Sequence, residues 1–165
     1  MLRSLDPCSI MRVQTWDGGV AAPPQVEQVL DVAWPNETGA VASGRADVMC
    51  TGPTDWLIVS GDPNAAALLG RLDEAFDGSA FRATDMSCAL ARIEVDGPQP
   101  RVLLAKACAL DVDPSRFPPG RCVRTRFAGM PVVVRCTQES TFQCIVTSSY
   151  RDYLVLWLTD AAREF

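Results

Sequence analysis

The chain has 165 residues, 48% hydrophobic and 21% charged, which is enough apolar material to fill a domain-sized core. It contains no histidine, so Ser/His/Asp and Cys/His nucleophile systems and histidine-bearing zinc sites are excluded. A net charge of −5 argues against general attraction to nucleic acid or an anionic membrane. The seven cysteines, odd in number and without a C-x-x-C pair, suit free thiols in a reducing cytoplasm. Asp6, Arg12 and Asp17 interrupt the start of the chain, so no signal peptide is expected, and no apolar run reaches the ~20 residues of a membrane span. The expectation is a soluble cytoplasmic protein.

Residues 1–25 show no sustained period and end in Ala21-Ala22-Pro23-Pro24, which predicts an extended N-terminal arm. Residues 26–165 are expected to form one compact domain with halves of about 26–88 and 89–165. Weak alternation over 26–33 predicts a strand, closed by the turn residues Pro35-Asn36-Glu37-Thr38-Gly39. Residues 46–51 and 56–60 predict a hairpin joined by Gly52-Pro53-Thr54-Asp55. Asp62 before Pro63 signals a helix start, Ala65, Leu68, Leu69, Leu72 and Phe76 supply its apolar face, and Gly78 ends it.

Residues 81–87 and 90–96 are strand candidates, and Gly97-Pro98 opens a short helix carrying Val102, Leu103, Leu104 and Ala107. Pro114, Pro118 and Pro119 impose a loop on residues 111–120. Strands are then predicted over 121–127, 131–136 and 142–147. Ser149, with Asp152 as a capping-box variant, starts the last helix. Its face of Tyr150, Tyr153, Leu154, Trp157, Leu158, Ala161 and Phe165 is assigned to the core. The order of elements predicts an α+β fold: two ferredoxin-like halves with helices packed on antiparallel sheet.

No glycine-rich phosphate loop is present. Cys136 and Cys144 read as buried structural thiols, and Asp111 and Asp113, two carboxylates without a third ligand, as loop-capping residues. Charge is divided along the chain. Residues 1–113 hold 8 basic and 16 acidic residues, and residues 114–165 hold 7 and 4. Arg116, Arg121, Arg124, Arg126 and Arg135 fall in a stretch with no acid. Arg124 and Arg126 share one strand face, which suits either a solvated surface or contact with an acidic partner or anionic cofactor.

Three blocks stand out along the chain. The first is Thr51-Gly52-Pro53-Thr54-Asp55-Trp56-Leu57-Ile58. The second runs from Leu104 to Val112 and continues as Phe117-Pro118-Pro119-Gly120-Arg121-Cys122 with Arg124-Thr125. The third is the ending Ser149-Tyr150-Arg151-Asp152-Tyr153-Leu154-Val155-Leu156-Trp157-Leu158. Together they resemble the gamma subunits of heterotetrameric sarcosine oxidase. The resemblance implies a fragment of the aminomethyltransferase-type folate-binding fold, too short for a complete folate pocket. It further implies a non-catalytic subunit that stabilises, through the alpha subunit, an alpha-beta-gamma-delta flavoenzyme. Such an enzyme oxidatively demethylates sarcosine or a related N-methyl amine. FAD, FMN, NAD, zinc and tetrahydrofolate are then expected in the partner subunits, and no catalytic, cofactor or metal residue in this chain. Arg121, Arg124, Arg126 and Trp56 are the candidate partner-interface residues. The alternatives are a free-standing folate-binding protein whose Arg124 and Arg126 attract the glutamate tail, and a free-standing enzyme using Asp111, Asp113 or a cysteine.

Overall fold

The computed structural model describes residues 2–19 and 21–164. The first elements are strands β1 (Leu2–Ser4) and β2 (Ser9–Thr15), helix α1 (Pro24–Leu30), strands β3 (Val41–Ser43), β4 (Ala46–Gly52) and β5 (Asp55–Ser60), helix α2 (Ala65–Ala75) and strand β6 (Phe81–Asp85). There follow β7 (Leu90–Asp96), α3 (Pro100–Ala105), β8 (Arg121–Phe127), β9 (Met130–Gln138), β10 (Thr141–Thr147) and α4 (Arg151–Ala161). The architecture is α+β, with two five-stranded sheets in the orders β3-β4-β5-β2-β6 and β1-β7-β10-β9-β8. Every pairing in both is antiparallel.

The chain divides into two compact units, Pro7–Cys88 and a second made of Ala89 onward with the residues up to Asp6. In the first, Met11, Val13, Val48, Trp56 and Ile58 on the strands meet Val26, Leu30, Leu68, Leu72 and Phe76 from the helical side. The second is built likewise from Ile93, Val95, Val132, Val134, Phe142 and Val146 against Leu103, Leu104, Leu154 and Leu158. Alternation along the strands and i, i+4 spacing on the helices place these groups on one face each, and their burial is the main stabilising term.

The units share one connectivity, β-α-β-β-β-α-β, running from β2 to β6 in the first. The second runs from β7 to α4, and the place next to β7 that matches β6 beside β2 is taken by β1, which precedes the first unit in the sequence. The likeness reaches individual residues. Helices α2 and α4 both have eleven residues, with buried leucines at their fourth and eighth positions. At the β3–β4 turn the Arg45 amide donates to the Leu30 carbonyl (3.1 Å), and at the β8–β9 turn the Ala128 amide donates to the Ala107 carbonyl (2.9 Å).

Several expectations are corrected. Instead of an extended arm, residues 2–15 form β1 and β2, and β2 lies between β5 and β6 inside a sheet. Ser9, Ile10, Met11, Val13 and Thr15 are all buried, so β2 lacks the half-polar alternation by which a strand is recognised. The strand predicted over 26–33 is helix α1. Pro24 occupies its first turn, where a missing amide is harmless, and Val26 and Leu30 are buried one turn apart. Helix α2 is capped by Asn64, whose side-chain oxygen accepts from the Ala67 amide (3.0 Å), and Asp62 instead accepts from the Asn64 amide (2.9 Å). Before α4, residues Ser148–Tyr150 form a 3-10 turn, and no side chain caps the helix. Its aromatic row is divided. Leu154 and Leu158 are buried, Tyr150 and Tyr153 are exposed, and Trp157 is half-buried edge-on to Phe127 at 5.0 Å. Phe165 lies outside the described residues.

Candidate functional site

The predicted interface residues do not share one environment. Strand β8 is at the edge of its sheet, with Arg124 and Arg126 exposed on one face and the half-buried Arg121 alternating onto the other. Trp56 is withdrawn from the surface entirely: it is 0% exposed, and its indole N–H donates to the Pro35 carbonyl at 2.8 Å. Its ring meets Trp34 at 5.2 Å and Phe81 at 5.6 Å, so Trp56 belongs to an aromatic core and not to a partner interface.

The residues of the first quoted block hold a hairpin. Asp55 is buried, and its carboxylate accepts from Arg12 Nε (2.6 Å) and Thr51 Oγ1 (2.7 Å), a charge-assisted pair that compensates for the loss of water. The second block is organised by Arg101, which the sequence analysis did not single out. Its guanidinium donates to the backbone carbonyls of Val112, Phe117 (3.1 Å) and Glu139 (3.2 Å) and lies over the Phe142 ring at 5.0 Å. Phe117 stacks on Phe142 at 6.3 Å, so one cation fixes the proline loop to the core. Gly120 then turns into β8 with φ +82°, a left-handed conformation open to glycine.

The candidate catalytic groups are engaged in local hydrogen bonds or buried. Asp113 accepts from the Ser115 hydroxyl (2.6 Å) and amide (2.9 Å), which hold its carboxyl below the usual range. Asp111 accepts from the Asp113 amide (3.1 Å), and both acids are exposed. Burial pushes the Cys144 thiol up to about 12, and it raises Cys136 and Cys50 as well, which disfavours the reactive thiolate at each. Among the described residues no group of three cysteine, aspartate or glutamate side chains is placed to hold a metal ion, and no helix is long and apolar enough to cross a membrane.

Each unit carries a cleft. One, of about 420 Å³, is lined by Leu2, Pro98, Pro100, Leu103, Thr159 and Ala162. The other, of about 260 Å³, is lined by Leu30, Arg45, Ser60, Asp62, Leu68 and Arg71 among others. Arg45 and Arg71 are 26 positions apart on a turn and a helix, a pairing that no local pattern could have announced. Neither cleft is lined by Arg124 or Arg126.

Comparison with known proteins places the chain in a family. A subunit gamma of sarcosine oxidase from Arthrobacter sp. is 29% identical over 150 residues, which are 89% of this chain and 72% of that one. A second, from Corynebacterium sp. strain P-1, is 28% identical over 158 residues, covering 94% and 75%. Among solved structures, the heterotetrameric sarcosine oxidase of Corynebacterium sp. U-96, in complex with pyrrole 2-carboxylate, contains a chain that matches with a TM-score of 0.90 at 25% identity. The match covers 100% of this chain and 84% of that one. The aminomethyltransferase T of the Bartonella henselae glycine cleavage system matches at TM-score 0.64 and 12% identity over 95% of this chain and 44% of its own, a likeness of fold alone. The description "sarcosine oxidase, gamma subunit family" matches residues 13–164, and the chain belongs to that family.

Proposed function

We propose that the chain is the gamma subunit of a heterotetrameric sarcosine oxidase and contributes architecture to it, with no catalytic group of its own. The observation that carries this reading is the fold match over the whole chain, at TM-score 0.90, to a chain of such an assembly. Oxidative demethylation of sarcosine or a related N-methyl amine, its flavins, NAD, zinc and tetrahydrofolate then belong to the alpha, beta and delta partners. The alpha subunit is the principal contact, and the arginine end of β8, with Arg121, Arg124 and Arg126, meets an acidic part of its surface.

Co-expression of the tagged chain with the other three subunits, followed by native mass spectrometry, tests the reading. It is expected to return a stoichiometric four-chain complex with its flavins. Recovery of the tagged chain alone, or an equally stable oxidase assembled from the other three chains, contradicts it. Charge reversal by Arg124→Glu with Arg126→Glu is expected to weaken assembly about tenfold or more at low salt, and less at high salt.

A free-standing folate protein is less well supported, because Arg124 and Arg126 are not beside either cleft and a pteridine needs an enclosed apolar slot. Calorimetry of the isolated chain with tetrahydrofolate is expected to show no saturable heat.

A further inference from the structure

The equivalence of the two units exposes a position in mid-helix at which they differ in kind. In the unit beginning at Ala89, the seventh residue of α4 is Trp157, packed on Phe127 beside the β8–β9 turn. The seventh residue of α2 is Arg71, and the equivalent β3–β4 turn carries Arg45. Where one unit has an indole, the other has the cleft of about 260 Å³, lined by both arginines with Ser60 and Asp62 and bounded by Leu30 and Leu68.

The charges in this cleft do not cancel. Among the described residues neither Arg45 nor Arg71 has a carboxylate within ion-pair distance, and Arg71 Nε makes a long contact of 3.4 Å to the carbonyl of Ala67 in its own helix. The lining thus holds two arginines and one carboxylate, that of Asp62, which already accepts from the Asn64 amide (2.9 Å). The Ser60 hydroxyl accepts from the Asp62 amide (3.2 Å) and retains its own hydrogen to donate. The backbone carrying Arg45 is held firmly. Its amide is bonded to Leu30, and the preceding Gly44 packs so closely that a Cβ there would lie 2.1 Å from the Asp31 carbonyl oxygen.

We propose that this cleft binds a carboxylate on a short aliphatic stem, held between the forks of Arg45 and Arg71. The planar guanidinium matches a carboxylate in two parallel bonds, and the buried Leu30 and Leu68 suit the stem. Asp62 disfavours a dianion such as phosphate by like-charge repulsion. The carboxylate has two possible sources, a free small molecule or an acidic group of a partner subunit. Only the second rests on the subunit reading above.

Two measurements on the full chain separate the outcomes. Amide NMR spectra are followed during titration with sodium butyrate, against sodium chloride at matched ionic strength. Wild type, Arg45→Gln/Arg71→Gln and the charge-retaining Arg45→Lys/Arg71→Lys are compared, and native mass spectrometry scores each with co-expressed partners. Saturable shifts at Arg45, Gly61 and Leu68, weakened about tenfold or more in the glutamine variant and less in the lysine variant, establish a site for the free carboxylate. No butyrate response, with loss of the glutamine variant from the complex at unchanged melting temperature, assigns the carboxylate to a partner. If the double variant fails to fold, Arg71→Gln alone is scored by the same criteria. Butyrate shifts no larger than those of chloride, with assembly unaffected, overturn the proposal and leave the subunit reading intact. If the wild type itself fails to assemble, the subunit reading falls and the butyrate titration alone decides the site.

Discussion

The two units solve the same packing problem with the same connectivity and differ in where they spend their aromatic rings. At the C-cap of α2 the first unit places Phe76, stacked on Phe81 at 5.5 Å and edge-on to Trp34 at 6.3 Å. The C-cap of α4 is Ala162, which lines the larger cleft. In the middle of the same helices the assignment reverses, with Trp157 in the second unit and Arg71 in the first. Two sheets covered by two helices each thus leave comparable gaps, and each unit closes one with rings while leaving another open. A ring at such a position adds apolar burial and stability, whereas a small or charged residue keeps a concavity that can receive another molecule.

The comparison is open to direct attack. Phe76→Ala is expected to cost about 3–5 kcal/mol, because the side chain is fully buried among rings. Ala162→Phe, at the matching position, should alter stability by less than about 1 kcal/mol because it enters a cleft. Urea denaturation measures both, and equal losses would show that the two helix ends are not differently packed. The matching turns give the next largest effects, of opposite sign. Gly44→Ala should destabilise by about 2–3 kcal/mol, since its Cβ meets backbone that cannot retreat. Ala128→Gly should stabilise by about 0.5–1 kcal/mol, since Ala128 holds φ +47° at the first position of a tight hairpin turn.

The smallest effect is electrostatic and common to both units. Ser87 holds the Asp85 carboxyl below its ordinary range, through its hydroxyl first and its amide second, as Ser115 does for Asp113. Because these folded values are depressed, their stabilisation is present above the unfolded carboxylate value and is lost as pH falls through the folded one. Carbon-detected titration should find both carboxyls below neighbouring exposed acids, and Asp85→Asn or Asp113→Asn should remove part of the acid limb of the stability curve. With no histidine in the chain, stability should be flat between about pH 5 and 8.

Local patterns announced the elements with a clear period or a β-branched run between turn residues. Residues 121–127 alternate, the leucines of α2 recur at helical spacing, and 131–136 and 142–147 are apolar runs bounded by turns; all form the predicted elements. Strand β2 was hidden because its interior position buries both faces, and α1 because Pro23 and Pro24 suggest extended chain until the second is seen as a first-turn residue. Trp56 resembled an interface anchor, but its polar edge is satisfied by the Pro35 carbonyl, a partner 21 positions away that no spacing rule reveals. Tyr150, Tyr153 and Trp157 share a helical period with Leu154 and Leu158, yet a helix presents only part of that arc to its core. Arg101 and the pair Arg45 and Arg71 take their meaning from tertiary neighbours, so their positions in the sequence are silent.

The seat of β1 beside β7 has a consequence for how the molecule is made. Leu2 lies opposite Val95, so one sheet joins a strand that precedes the Pro7–Cys88 unit to strands that follow it. The unit Pro7–Cys88 has all its strands in one stretch and can fold as soon as that stretch has emerged. The other must wait for β7 to β10 and then draw back β1 across the intervening unit, a long loop closure that slows its final step. Synthesis therefore gives the subunit a built-in order, with the half that bears Arg45 and Arg71 finished while the half that bears β8 is still being assembled.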